Sequence, residues 1–250
     1  MNNPLSRFFR DPTNSFPPVR PDEKLQIIGD IHGSFELLEG IGKYIDPGAT
    51  TVFVGDYIDR GLASADVLRV LHGVQTTHPE RVICLMGNHE RMLLDFLRRP
   101  EKSGKIWLRN GGMETLASYG INGRFPIGST QALSVVRDAL EKAMGPMLID
   151  WLRGLPLIYV SGNVAVVHAG ADPDKPLTEQ EDKALLWGHP KFLSRTRKDG
   201  MWVAHGHTIV EEPLAKSGRI SVDTGAYATG RLTAALVENE SIRFLASPDS

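Results

Sequence analysis

Six short polar clusters carry the residue types of metal-assisted hydrolysis, and each follows a short apolar run. They are Asp30 and His32; Asp56, Asp59 and Arg60; Asn88 and His89; His168; His205 and His207; and Asp223. Carboxylates, imidazoles and one amide oxygen together suit divalent first-row ions of borderline hardness, such as Mn, Fe, Co or Zn. Asp30 and His32 stand two apart at a strand end, where a side-chain period of two aims both the same way. Asp56, arriving from the neighbouring strand, can give one oxygen to each of two ions. The assignment is therefore Asp30, His32 and Asp56 on one ion, with Asp56, Asn88, His168 and His207 on the other.

Two divalent ions bring about +4, and two carboxylates with a bridging hydroxide remove about 3, leaving a centre poised for an anion. Ions about 3.5–4 Å apart acidify a bridging water and clamp a phosphoryl group for in-line attack. Arg60 adds a planar donor fork matched to phosphate oxygens. His89, beside a ligand yet not needed as one, is the natural general acid for a leaving alkoxide, with Asp59 fixing its ring and keeping it protonated. Gly29, Gly33, Gly55, Gly87 and Gly206 allow close backbone approach. Asp223 and His205 read equally as partners of ligands or as turn and packing residues.

These residues need strands that end together. Leu25–Ile28, Thr50–Val54 and Val82–Met86 are apolar runs, each followed by a Gly-containing loop and a helical period. The first helix, capped by Ser34, buries Leu37, Leu38, Ile41 and Ile45. The second buries Val67, Leu68, Leu71 and Val74, and the third Met92, Leu93, Phe96 and Leu97. Strand-then-helix repetition implies parallel βαβ units. Residues 100–155 read as mainly helical. Pro156–Val160 and Val164–Val167 flank a hairpin turn, and Val203-Ala204, Ile220–Val222, Leu232–Val237 and Ile242–Leu245 add strands. A mixed sheet, or two sheets packed face to face with helices outside, accommodates this order. The proline-broken residues 1–22 read as a flexible N-terminal arm, and 23–250 as one catalytic domain.

Composition narrows the partners. In 250 residues, 28 Lys and Arg meet 30 Asp and Glu, for a formal charge of −2, which argues against a polybasic nucleic-acid or membrane binder. No apolar run nears the roughly 18 residues of a membrane span, and the N-terminus has no apolar signal core. The lone Cys84, inside an apolar strand, is read as a core residue and fits a reducing, cytoplasmic setting.

In chain order, GDIHG (29–33), GDYIDRG (55–61), GNHE (87–90), HAG (168–170) and GHT (206–208) resemble the motifs of PPP-family serine/threonine protein phosphatases, above all bacterial and phage metallophosphoesterases of calcineurin-like type. The match runs from about Leu25 to Val237. It implies an α/β, metallophosphatase-type β-sandwich of mixed sheets flanked by helices. It also implies one-step hydrolysis of phosphomonoesters by metal-bridging hydroxide, two ions with Mn²⁺ the usual activator, and phosphorylated protein or peptide substrates. The same residue roles follow, with His89 and Asp59 as the acid pair. The regulatory subunits of eukaryotic relatives are not implied. A bis(5′-nucleosyl)-tetraphosphatase of the same fold is the alternative, sharing the metal core and differing at the substrate rim. Relatives carry a second phosphate-clamping Arg after a late Trp; here Trp187-Gly188-His189-Pro190 has His189, so either His189 or Arg109 takes that place. Lys191, Arg195, Arg197 and Lys198 read as a solvated loop, or else as a basic rim for phosphorylated substrates.

Overall fold

The computed structural model describes residues 16–123 and 129–247. Two five-stranded mixed sheets form the centre. The first sheet has the order β10-β9-β1-β2-β3, from β1 (Leu25–Ile28), β2 (Thr50–Phe53), β3 (Val82–Cys84), β9 (Thr233–Glu238) and β10 (Ser241–Ala246). The second has the order β4-β5-β6-β8-β7, from β4 (Ile158–Ser161), β5 (Val164–Val167), β6 (Trp202–His205), β7 (Leu214–Lys216) and β8 (Arg219–Ser221). Within the first, β1, β2 and β3 run parallel; within the second, β5, β6 and β8 do. The six polar clusters leave the carboxyl ends of these six parallel strands, which is where loops of α/β sheets build sites.

Side-chain alternation decides which face each residue serves. Leu25, Ile27, Val52 and Val54 meet Val164, Val166, Ala204, Ile220 and Val222 in a core between the sheets. Ile28 and Phe53 point the other way, into a larger core beneath the helices. Those helices are α1 (Phe35–Gly42), α2 (Ser64–Thr77), α3 (Asn88–Arg98), α4 (Pro100–Trp107), α5 (Met113–Ser118), α6 (Thr130–Met144) and α7 (Pro146–Arg153). A π-helical turn at Leu108–Gly112 joins α4 to α5. On the second sheet, α8 (Asp182–Trp187) covers Val167 and Val203 with Leu185. A short α9 (Ala226–Thr229) follows Asp223.

Several expectations change in detail. Residues 16–22 are not a loose arm. The Pro17, Pro18 and Val19 carbonyls accept from Trp202 Nε1 (2.7 Å), Asn163 Nδ2 (2.9 Å) and the Glu240 N–H (2.8 Å), and Val19 is buried. Proline removes donors but leaves carbonyls, so a proline-rich strap can still be tied down by acceptors. Residues 1–15 of the expected arm lie outside the described residues. Ser34 stands before α1 without capping it, since its hydroxyl faces the His32 carbonyl instead. Ile45 lies beyond the end of α1 and, like Val74, is exposed. The edge strand β7 and the helices α8 and α9 are additions. Among the described residues no helix is long and apolar enough to cross a membrane.

Candidate metal centre and active site

Loops from both sheets bring two buried clusters of ligand atoms together: His32, Asp56 and His89, and Asp56, His168 and His207. Asp56 belongs to both. The loops reach this point through unusual backbone: His32, Asp56, Asp59, Arg60 and His207 all have positive φ. Such conformations cost of order 1 kcal/mol or more for a residue with a Cβ, and they persist where surrounding structure holds them. Glu90 does much of that holding. Its carboxylate accepts the N–H groups of Asp56 (2.8 Å), Tyr57 (2.9 Å) and Gly87 (3.0 Å), tying the loop after β2 to the start of α3. Gly87 and Gly206 sit so close to the Asp56 and Asp30 carboxylates that a Cβ at either would overlap them.

The imidazole tautomers follow from their neighbours. His32 Nδ1 donates to the Ile58 carbonyl (2.8 Å), and His168 Nδ1 to the Val54 carbonyl (3.1 Å). Burial lowers His32 to about 3 and His168 to about 4, and also lowers His207, so these rings are neutral near pH 7. Each Nε2 of His32 and His168 is then a lone pair aimed inward. His168 Nε2 lies 2.7 Å from Asn88 Oδ1, and His207 Nδ1 lies 2.9 Å from the same oxygen. A network of protons alone would turn the amide NH₂ toward these nitrogens. Lone pairs from an amide oxygen, imidazoles and Asp56 converging at one place are the donor set of a borderline divalent cation. The residues fit two such ions, with Asp56 shared.

Burial opposes charge on Asp56, but His168, His89, His32 and the His89 N–H outweigh it and hold its carboxyl well below the usual range. Asp30 is placed differently from its neighbours. It stands beside the two clusters rather than within either, its oxygens accepting the His207 N–H at 3.1 and 3.2 Å. Burial, then the charges of Asp223 and Asp56, push Asp30 well above the usual carboxylate range, and burial raises Asp223 to about 6. The first cluster also takes in His89, whose Nε2 is 3.9 Å from Asp56 Oδ2.

His89 Nδ1 is 2.6 Å from Asp59 Oδ2. Burial works against a proton on His89, yet Asp56 and the hydrogen bond to Asp59 overcome it and raise its pKa. Asp59 is itself held from three sides. Trp107 Nε1 donates to both its oxygens at 3.1 Å, and Thr115 Oγ1 donates to Oδ1 at 2.6 Å while accepting the Asp59 N–H at 2.9 Å. Trp107, Thr115 and Glu90 carry no role in the sequence reading. A buried indole N–H must find a partner, but nothing in the spacing says which.

The profile of the calcineurin-like phosphoesterases matches residues 24–227. The chain belongs to that family. Among curated relatives, an asymmetrical bis(5′-nucleosyl)-tetraphosphatase of Bacillus subtilis is 27% identical over 236 residues, covering 83% of this chain and 88% of that protein. A symmetrical bis(5′-nucleosyl)-tetraphosphatase of Chromobacterium violaceum is 31% identical over 150 residues, spanning 59% of this chain and 43% of that protein. A solved serine/threonine phosphatase of Saccharomyces cerevisiae superposes with a TM-score of 0.59 at 18% identity, over 91% of this chain and 80% of that one. That last likeness is one of fold. This calcineurin-like phosphoesterase is thus a metal-dependent phosphoesterase with a dinuclear type of centre.

At the rim of the phosphoesterase centre, Arg60 Nη1 donates to His32 Nε2 (3.2 Å) and Nη2 lies 3.3 Å from His89 Nε2. Its guanidinium carbon stands 4.7 Å over the Tyr227 ring, which braces it. His189 turns to Asp172 (3.8 Å), whereas Arg109 is exposed and its side chain makes no hydrogen bond or ion pair among the described residues. Arg109 lies two residues before Gly111, whose carbonyl accepts the Arg60 N–H at 3.3 Å. The basic segment is largely neutralised: Lys191 and Arg195 both pair with Asp174, and buried Arg197 pairs with Asp199. His205 donates through Nδ1 to the Gly206 carbonyl (2.9 Å) and meets the Ser221 hydroxyl through Nε2 (2.9 Å). Both of its nitrogens are used, so it shapes the loop that carries His207 and offers no lone pair to an ion.

Proposed function

We propose that this phosphoesterase cleaves the phosphoanhydride chain of bis(5′-nucleosyl) tetraphosphates, the alternative substrate class for its motifs. What carries the substrate choice is the alignment along most of both chains with a relative named for that reaction. Asp30, His32 and Asp56 would hold one divalent ion, and Asp56, Asn88, His168 and His207 the other, with Mn²⁺ the first to test. When bound, such ions supply charge that acidifies water and neutralises phosphoryl oxygens. The chain's own residues do the rest. Arg60, fixed over Tyr227, offers two parallel N–H donors to the phosphate, and Asp59 orients His89 with its Nε2 toward the leaving oxygen. Glu90 keeps the Asp56 loop in the strained backbone that aims Asp56 inward.

A phosphoprotein phosphatase is the second reading, and one observation favours it. A serine or threonine alkoxide leaves poorly without a proton, while a nucleotide phosphate leaves readily. The His89–Asp59 pair at 2.6 Å is the machinery an alkoxide needs. The test is a panel at equal enzyme and Mn²⁺: diadenosine tetraphosphate against phosphoserine and phosphothreonine peptides. Release of nucleotides with a kcat/KM well above that for peptides is the expected result. Phosphate release from peptides alone overturns the proposal.

A further inference from the structure

Three of the four tryptophans have their N–H engaged. Trp107 donates to Asp59, Trp151 to Gln75 Oε1 (2.8 Å) and Trp202 to the Pro17 carbonyl (2.7 Å). Trp187 differs: the residue is 44% exposed and its indole N–H has no hydrogen bond among the described residues. It is the last residue of α8, which Ala184, Leu185 and Leu186 anchor in the core, and Gly188 at φ +82° then turns the chain away. The indole therefore stands on a rigid base. It borders the centre, its ring 6.5 Å from the His207 ring at an angle of 85°.

The opposite flank is built otherwise. Tyr227 lies 5.3 Å from the His32 ring, but the Arg60 guanidinium covers its face. One side of the metal clusters thus presents a cation for phosphate, and the other a bare aromatic surface. An indole with a large apolar face and a donor at its edge suits a ligand that is flat and apolar on one side and polar at its rim.

We propose that Trp187 is the stacking platform for a nucleobase of the substrate, so that it selects nucleotide-bearing polyphosphates over bare ones. This rests on the tetraphosphatase reading. With the reacting phosphoryl group between Arg60 and His207, the nucleoside attached on the His207 side lies toward α8, where any purine or pyrimidine can stack face to face. The indole N–H is left to meet a sugar hydroxyl or ring nitrogen.

The experiment compares wild type, Trp187→Ala and Trp187→Phe on diadenosine tetraphosphate and on inorganic tripolyphosphate, which has the anhydride but no base. Base–aromatic stacking removed by alanine raises KM for diadenosine tetraphosphate by roughly 5- to 100-fold, with kcat changed much less. Trp187→Phe, retaining a π-face, recovers most of that loss. For tripolyphosphate, KM moves less than about twofold in either variant. Independently of turnover, titration of metal-free protein with ADP quenches tryptophan fluorescence in wild type and not in Trp187→Phe. Equal KM increases on both substrates mean that Trp187 only supports the loop, and an unchanged KM for diadenosine tetraphosphate means it touches no base. Either outcome overturns the platform while leaving the tetraphosphatase reading intact. Absence of nucleotide release by the wild type overturns that reading and the platform with it.

Discussion

Replacing Asp59 by Asn removes one charge and nothing of the shape. Three donors converge on this buried carboxylate: His89 Nδ1–H, Trp107 Nε1–H and Thr115 Oγ1–H. An amide has one oxygen and an NH₂ group, so either His89 faces the NH₂, or the oxygen stays with His89 and the Thr115 hydroxyl turns to accept from the NH₂; in both cases His89 loses its charged partner. The hydrogen bond to a charged partner that His89 loses is worth about 1.5–3 kcal/mol, which is roughly 10- to 150-fold in rate if it acts at the transition state. The loss follows the leaving group. Hydrolysis of an alkyl phosphate, which needs the His89 proton, falls by that factor in kcat. Hydrolysis of 4-nitrophenyl phosphate, whose leaving group needs no proton, falls less than about threefold. Thermal unfolding of the same variant separates chemistry from collapse of the loop. Equal losses on both substrates, or none on either, refute the assignment of Asp59 and His89 as an acid pair.

Asp56→Asn is expected to lower the affinity for both ions together, measured as metal content against free Mn²⁺; loss of a single ion contradicts a shared ligand. Arg60→Ala raises KM for phosphate-bearing substrates by about 10-fold or more through loss of a two-pronged charged contact, and Arg109→Ala, tested beside it, raises KM only if the exposed guanidinium is the second clamp. The buried His205, held at about 4 against 6.5 when unfolded, contributes stability that is present above pH 6.5 and lost as pH falls toward 4. At pH 5, which is 1.5 units below the unfolded pKa, this one group removes about 2 kcal/mol, read as the part of the change in denaturant unfolding of metal-free protein between pH 7.5 and 5 that His205→Gln abolishes.

Unbroken apolar runs made β1, β2 and β5 readable, because strands buried on both faces show no polar alternation. The loops after them announced their chemistry through residue type, and His32, Asp56, Asn88, His168 and His207 do converge. Charge and spacing do not reveal which donor a carboxylate will find, so Asp30 turning to the His207 N–H was not legible. Nor was the support behind the His89–Asp59 contact: Trp107 and Thr115 reach Asp59 from 48 and 56 positions away, through a π-helical turn that has no simple pattern. The strap at residues 16–22 was missed because proline signals a lost donor and says nothing about the carbonyls that remain.

His32, Asp56 and Asn88 come from the first sheet, while His168 and His207 come from the second. The cation pocket is thus stitched across the seam of the sandwich, and neither half can close it unaided. Whatever tightens the grip on the ions must also press the halves together, by thermodynamic reciprocity. A methyl group shaved from Ile27 or Val166, deep in that seam, would then be felt as weaker metal uptake at the far end of the strands.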